Sequence, residues 1–148
     1  MARQTKKVPS SAAGEKSSKK PAIDPSYRSP HTYPPVWRID LLQREDPYGW
    51  EAVSPALLWE EILPKLSSFE TMTWAAILGK QNHEVSVASL CTKAQKRLKA
   101  LRLDDIEQLV LLRLGGKKRI WGIKEHRVLR LLWWDPNHKV CPSIKRHT

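Results

Sequence analysis

The chain has 148 residues with 26 Lys and Arg against 15 Asp and Glu, a formal net charge of +11, and seven tryptophans against one phenylalanine. That length supports one ordinary domain with a tail and excludes two domains of typical size. No run approaches the roughly 18 apolar residues of a transmembrane helix, and MARQTKKVPSSAAGEKSSKK holds no signal-like hydrophobic stretch, so a cytoplasmic protein with no membrane partner is expected.

The charge is unevenly spread. Residues 1–35 carry seven Lys/Arg against two Asp/Glu, residues 43–112 eight against ten, and residues 113–148 ten against two. Positive charge is segregated into the N-terminal leader and the C-terminal quarter, the footprint expected for RNA or DNA. No basic amphipathic helix accompanies it, which weighs against a membrane surface. Cys91 and Cys141 fit no metal spacing and read as reduced thiols; neither metal nor cofactor is expected.

Residues 1–35, rich in Ser, Lys, Pro and Ala, bury too little to offset chain entropy and read as a disordered basic leader. Residues 36–148 read as a single α+β domain, helices packed on a small antiparallel sheet. VWRIDLL (36–42) alternates as a half-buried strand. Ser54 before Pro55 opens a helix bearing Leu57, Leu58, Ile62 and Leu66, which Pro64 should bend or end. FETMTWAAIL predicts a second helix with Phe69, Met72, Ala76 and Ile77 on its apolar stripe. HEVSV (83–87) is a short strand, and Thr92 with Gln95 makes a capping box for the helix KAQKRLKALRL. A short helical turn is expected at IEQL. A β-meander then occupies about 110–142, as VLLRL, RIWGIK, RVLRLLWW and a last strand HKVCP after the Asp135-Pro136-Asn137 turn.

The segment from Lys117 to Lys139 carries most of the functional signal. With Glu125-His126 as the hairpin turn, Ile123 pairs with Val128, Trp121 with Arg130 and Arg119 with Leu132. Ile120, Leu129, Leu131 and Trp133 then face the helices. Arg119, Trp121, Ile123, Val128, Arg130, Leu132 and Trp134 share the other face, where arginines can hold phosphates while indoles stack bases. Lys117 and Lys118 extend this candidate nucleic-acid surface. The bland alternative is a Trp121–Arg130 cross-strand cation–π pair that needs no ligand. His138 and Lys139 enter beside it, and a histidine there can transfer protons near neutral pH or serve only as a surface hydrogen-bonding group.

The order of helix, LRLGG, KRIWGI, RVLRLLWW and HKVCP over residues 92–142 resembles the RelE/HigB-like toxin superfamily. The resemblance implies an α+β fold whose sheet binds mRNA on the ribosome and cleaves it without a metal. By position it makes Arg119 the phosphate-stabilising arginine and puts His138 or Lys139 on the catalytic strand. It also implies an acidic antitoxin-like partner. A tyrosine such toxins carry near the chain end is missing, with Cys141 near its place, and residues 36–91 have no counterpart in the minimal toxin. An RNA-binding protein, in the fullest form a metal-independent endoribonuclease, is therefore expected, with RNA ahead of DNA. The alternative is a non-catalytic nucleic-acid or protein-interaction module.

Overall fold

The structure is a computed structural model that describes residues 28–142. Residues 1–27, the bulk of the expected leader, and 143–148 lie outside the described residues. Positions 28–35, expected to belong to the leader, pack on the domain. The Tyr33 carbonyl accepts from Trp74 N at 3.0 Å, Arg127 lies over the Tyr33 ring at 4.7 Å, and Pro35 is buried.

Five strands form one sheet in the order β1-β5-β4-β3-β2: β1 (Val36–Arg38), β2 (His83–Ser86), β3 (Gln108–Gly115), β4 (Lys118–Glu125) and β5 (Val128–Asp135). Strands β2 to β5 pair antiparallel, while β1 joins β5 in parallel, Val36 opposite Val128. The α+β class holds, with a mixed sheet in place of a purely antiparallel one. The chain leaves β1, builds the helices and returns along β5 in the same direction, the crossover that a parallel pair requires.

Both faces of the sheet are covered. On one, Val110, Leu112, Ile120, Leu129, Leu131 and Trp134 pack with Ile62, Leu66, Phe69, Trp74 and Ile77. On the other, Leu109, Leu111, Trp121, Ile123 and Trp133 pack with Leu90, Ala94, Leu98 and Val140. The near-continuous apolar run LVLL in β3 and LLWW in β5 is what a strand buried on both sides requires. Trp121 and Trp134, expected on an exposed ligand face, are 0 % and 2 % exposed and offer no stacking platform. Among the described residues, no helix is long and apolar enough to cross a membrane.

The helices follow local chemistry. Ser54 caps α1 (Pro55–Leu57), its hydroxyl accepting from Leu57 N at 3.1 Å. A π-helical stretch, Leu58–Ile62, leads into α2 (Leu63–Phe69). Pro64 therefore neither ends the helix nor breaks it: the widened turn before it accommodates the ring and the missing N–H. Phe69 ends this helix, and α3 (Trp74–Ile77) starts later than expected because Thr73 caps it, accepting from Ala76 N at 3.2 Å. In α4 (Thr92–Ala100) the N-cap is Cys91, so the Thr92–Gln95 capping box does not form. Gln95 instead donates from Nε2 to the Leu90 carbonyl at 2.8 Å. The helical turn expected at IEQL does not form: Ile106 and Glu107 lie outside regular structure and β3 starts at Gln108, while HKVCP is bend and coil without ladder pairing.

The β4–β5 hairpin turns at His126-Arg127, with His126 at φ 58°, which sets Ile123 opposite Arg130. This differs from the expected register by two residues, so the faces keep their parity up to Gly122. Between Trp121 and Gly122 the register slips, Gly122 facing Leu131 but Trp121 facing Trp133. That bulge exchanges the last turns of β5: Trp133 goes to the α4 face and Trp134 to the opposite one. Gly122 permits the close approach, since a Cβ there would stand 2.7 Å from the Arg130 carbonyl oxygen and 2.8 Å from Leu129 Cγ. Gly122→Ala should therefore lower the unfolding free energy by about 2–3 kcal/mol, within the range for overpacked cores. Urea denaturation checks this, and an unchanged midpoint would contradict the bulge geometry.

Candidate anion-binding cleft

Asp135 ends β5 and is 1 % exposed. Its Oδ2 accepts from Trp121 Nε1 at 3.1 Å and Val140 N at 3.0 Å, and its Oδ1 accepts from Lys139 N at 2.8 Å. The carboxylate does what a neighbouring strand would do, satisfying buried N–H groups that have no ladder. It fixes the segment after β5 across the α4 face of the sheet, with Val140 fully buried and its carbonyl accepting from Cys91 N at 2.8 Å. His138 lies in this pinned segment with φ 56°.

Beside His138 the end of that sheet face stays open as a cleft of about 390 Å³, lined among others by Lys80, His83, Arg113, Arg119 and Cys141. Arg113 and Arg119 are direct cross-strand partners on β3 and β4. Like charges placed so are mutually destabilising. None of the ion pairs among the described residues involves Lys80, Arg113 or Arg119. Arg119 is only 9 % exposed, and its Nη1 donates to the carbonyls of Gly116 at 2.8 Å and Lys118 at 3.0 Å. Those bonds orient the guanidinium without neutralising it. Burial, then Arg113, holds its pKa below the ordinary guanidinium value, with Asp135 acting in opposition. A cation desolvated beside another cation, in a cleft whose ionisable lining contains no carboxylate, is an arrangement that an anion would relieve.

Of the residues expected from sequence, this cleft brings together Arg119 and His138. Lys139 points the other way, into a second cleft on the far side of its own turn. Arg130 sits toward the other end of the sheet, four residues along β4 by register, or roughly 13 Å from Arg119 at strand rise. There its guanidinium binds Asp40 at 2.8 Å and Glu125 at 3.1 Å, and its cross-strand neighbour is Ile123 in place of the expected Trp121. Lys118 pairs with Glu61, and Lys117 is exposed on the β3–β4 turn. Sequence reasoning missed Arg113, His83 and Lys80. Arg113 carried a readable signal, a lone charge inside the apolar run VLLRL, and the Gly116-Lys117 turn brings it opposite Arg119. His83 and Lys80 carried none, because only the β2–β3 pairing moves them there. Among the described residues, no group of three or more His, Cys, Asp or Glu side chains is placed to hold a metal ion.

Burial pushes the His138 pKa below its ordinary 6.5; Arg119, Arg113 and His83 push the same way and Asp135 opposes them. Folded His138 therefore binds fewer protons than it does unfolded. Its contribution to stability is present above 6.5 and is lost as pH falls through 6.5 toward the folded value. An NMR titration of the ring should give a midpoint below 6.5 that moves upward in Arg119→Ala. A midpoint at or above 6.5 in the unmodified protein would contradict this electrostatic picture. Neither a protein-family model, nor a curated protein, nor a solved structure matches this chain, and the chemistry of the cleft itself carries the functional conclusion.

Proposed function

We propose that this protein binds RNA at the Arg113–Arg119 cleft and cleaves it there by attack of a ribose 2′-OH on the adjacent phosphate. The observation that carries the reading is the cross-strand arginine pair, without a carboxylate partner among the described residues, beside a histidine held neutral near pH 7. The two guanidinium groups would neutralise the phosphoryl oxygens as charge builds on them. Neutral His138 would take the 2′-OH proton, and His83 or Lys80 would supply one to the departing O5′. The new bond joins O2′ to phosphorus and the broken one releases O5′, leaving a 2′,3′-cyclic phosphate and a 5′-hydroxyl. DNA has no 2′-OH and would be bound without being cut.

The resemblance to RelE/HigB-like toxins supports the same substrate class. Within this proposal the substrate is mRNA on the ribosome, the location is the cytoplasm, and an acidic antitoxin-like partner would cover the cleft. The roles differ from those expected by position, since Lys139 and the tryptophans no longer belong to the reacting centre.

The test is incubation of the full chain with an end-labelled unstructured RNA and its deoxy counterpart. The RNA should be cut to cyclic-phosphate ends, with the rate falling about 100-fold or more in His138→Ala and comparably in Arg119→Ala. Arg130→Ala should stay near the unmodified rate. RNA retained with steep salt dependence but left intact would reduce the function to a binding module. No retention even at low salt would overturn the nucleic-acid reading altogether.

A further inference from the structure

The turn that carries His138 is a wall shared by two clefts. His138 faces the arginine cleft, while its neighbours Asn137 and Lys139 line a second cleft of about 780 Å³. The left-handed backbone at His138 and the Asp135 bonds to Lys139 N and Val140 N fix this division. Opposite the turn stands the loop 46–49, and Lys93 on α4 closes the remaining side.

The second cleft differs chemically from the first. Its lining includes Tyr48, Pro47, Pro136 and the largely buried Trp134, the side chains of Asn137, Lys93 and Lys139, and two carboxylates, exposed Asp46 and buried Asp135, the latter already accepting three hydrogen bonds. Tyr48 is a fixed wall: its ring lies 5.2 Å from that of Trp133, and its hydroxyl is 3.3 Å from Cys91 Sγ. Burial and Cys91 push the phenol pKa upward, so it stays neutral. A volume in the range of small-ligand sites, ring-bearing walls, an amide and carboxylate as hydrogen-bonding groups and two exposed lysines fit a base with its ribose and phosphate. They fit a bare anion less well.

The geometry points to a second nucleotide subsite in this cleft, so that a single RNA strand crosses the Pro136–Lys139 turn with its reacting phosphate at Arg113–Arg119 and the adjoining nucleotide beside Tyr48, Lys93 and Lys139. This rests on the RNA reading of the first cleft. It adds a consequence that the first cleft alone lacks: the protein should recognise a strand of at least two nucleotides, with single-stranded character enforced because a duplex cannot straddle the turn.

The probes are 2′-O-methyl RNAs of one, two and four nucleotides carrying a 5′-phosphate, which cannot be cleaved by 2′-OH attack. Binding to the full chain is followed by tryptophan fluorescence, with Trp134 in the cleft wall, and by calorimetry. Going from one to two nucleotides should tighten binding by about tenfold or more, the scale of one additional ordered base. In Lys93→Ala/Lys139→Ala most of that gain should disappear, whereas Lys96→Ala/Lys99→Ala, removing equal charge elsewhere on α4, should keep it. An equal gain in both double variants, or an equal loss, would overturn the second subsite and leave the arginine cleft standing. If the unmodified protein binds none of the oligomers, the RNA reading fails and the subsite fails with it.

Discussion

The Asp135 carboxylate organises the functional end of this molecule. One buried group accepts from an indole N–H and from two backbone N–H groups beyond the last strand, and through them it ties the sheet core to the segment that carries His138. Without an acceptor there, Trp121 Nε1 and the amides of Lys139 and Val140 would be buried unsatisfied, at about 1–3 kcal/mol each. The segment would then be held only by the buried Val140 side chain and its carbonyl bond to Cys91 N, and the wall shared by the two clefts would loosen. The same carboxylate sits directly opposite Arg119 on the neighbouring strand. It opposes the effect of Arg113 on the Arg119 guanidinium and is not among the ion pairs of the described residues.

This division of labour explains how a +11 chain holds two unpaired arginines at a sheet end without unfolding it. Several of its other cations are neutralised locally, Arg130 by Asp40 and Glu125, Arg44 by Glu51 and Lys118 by Glu61. Among the described residues, the Arg113–Arg119 cleft sets two arginines side by side with no carboxylate in its lining. Structural ion pairs stabilise the native state, whereas a buried arginine set opposite a second arginine lowers its stability and is the kind of local conflict found at functional sites. The adjacent histidine, neutral and half-buried, is suited to proton transfer for the reason it is costly to protonate.

The fold was legible where patterns were local. Ser54-Pro55, the apolar stripe through Ile62 and Leu66, and the three long strands all lie where the residues predict. It was not legible where tertiary packing decides. Arg119, Trp121 and Arg130 read as an exposed basic face because the sequence does not announce that α4 and residues 136–141 cover that side; the unbroken apolar runs of β3 and β5 were the available warning. The bulge at Gly122 exchanged Trp133 and Trp134, which period-two reasoning cannot anticipate without knowing where the backbones touch. Of the candidate site, Arg119 and His138 were found, since both stand in the charged C-terminal quarter. Arg113 and His83 came from pairing partners distant in sequence, and Lys139 was lost to the left-handed turn that sends it into the second cleft.

The central claim is that Arg113 and Arg119, where they meet beside the Asp135-held turn, form the anion site that holds the reacting phosphate. The most direct measurement follows the Nε–Hε NMR signals of all the arginines while inorganic phosphate is added at constant ionic strength. The account predicts saturable shifts at Arg113 and Arg119 together with the His138 ring, and none at Arg130. Shifts spread evenly over exposed arginines, or strongest at Arg130, would contradict it.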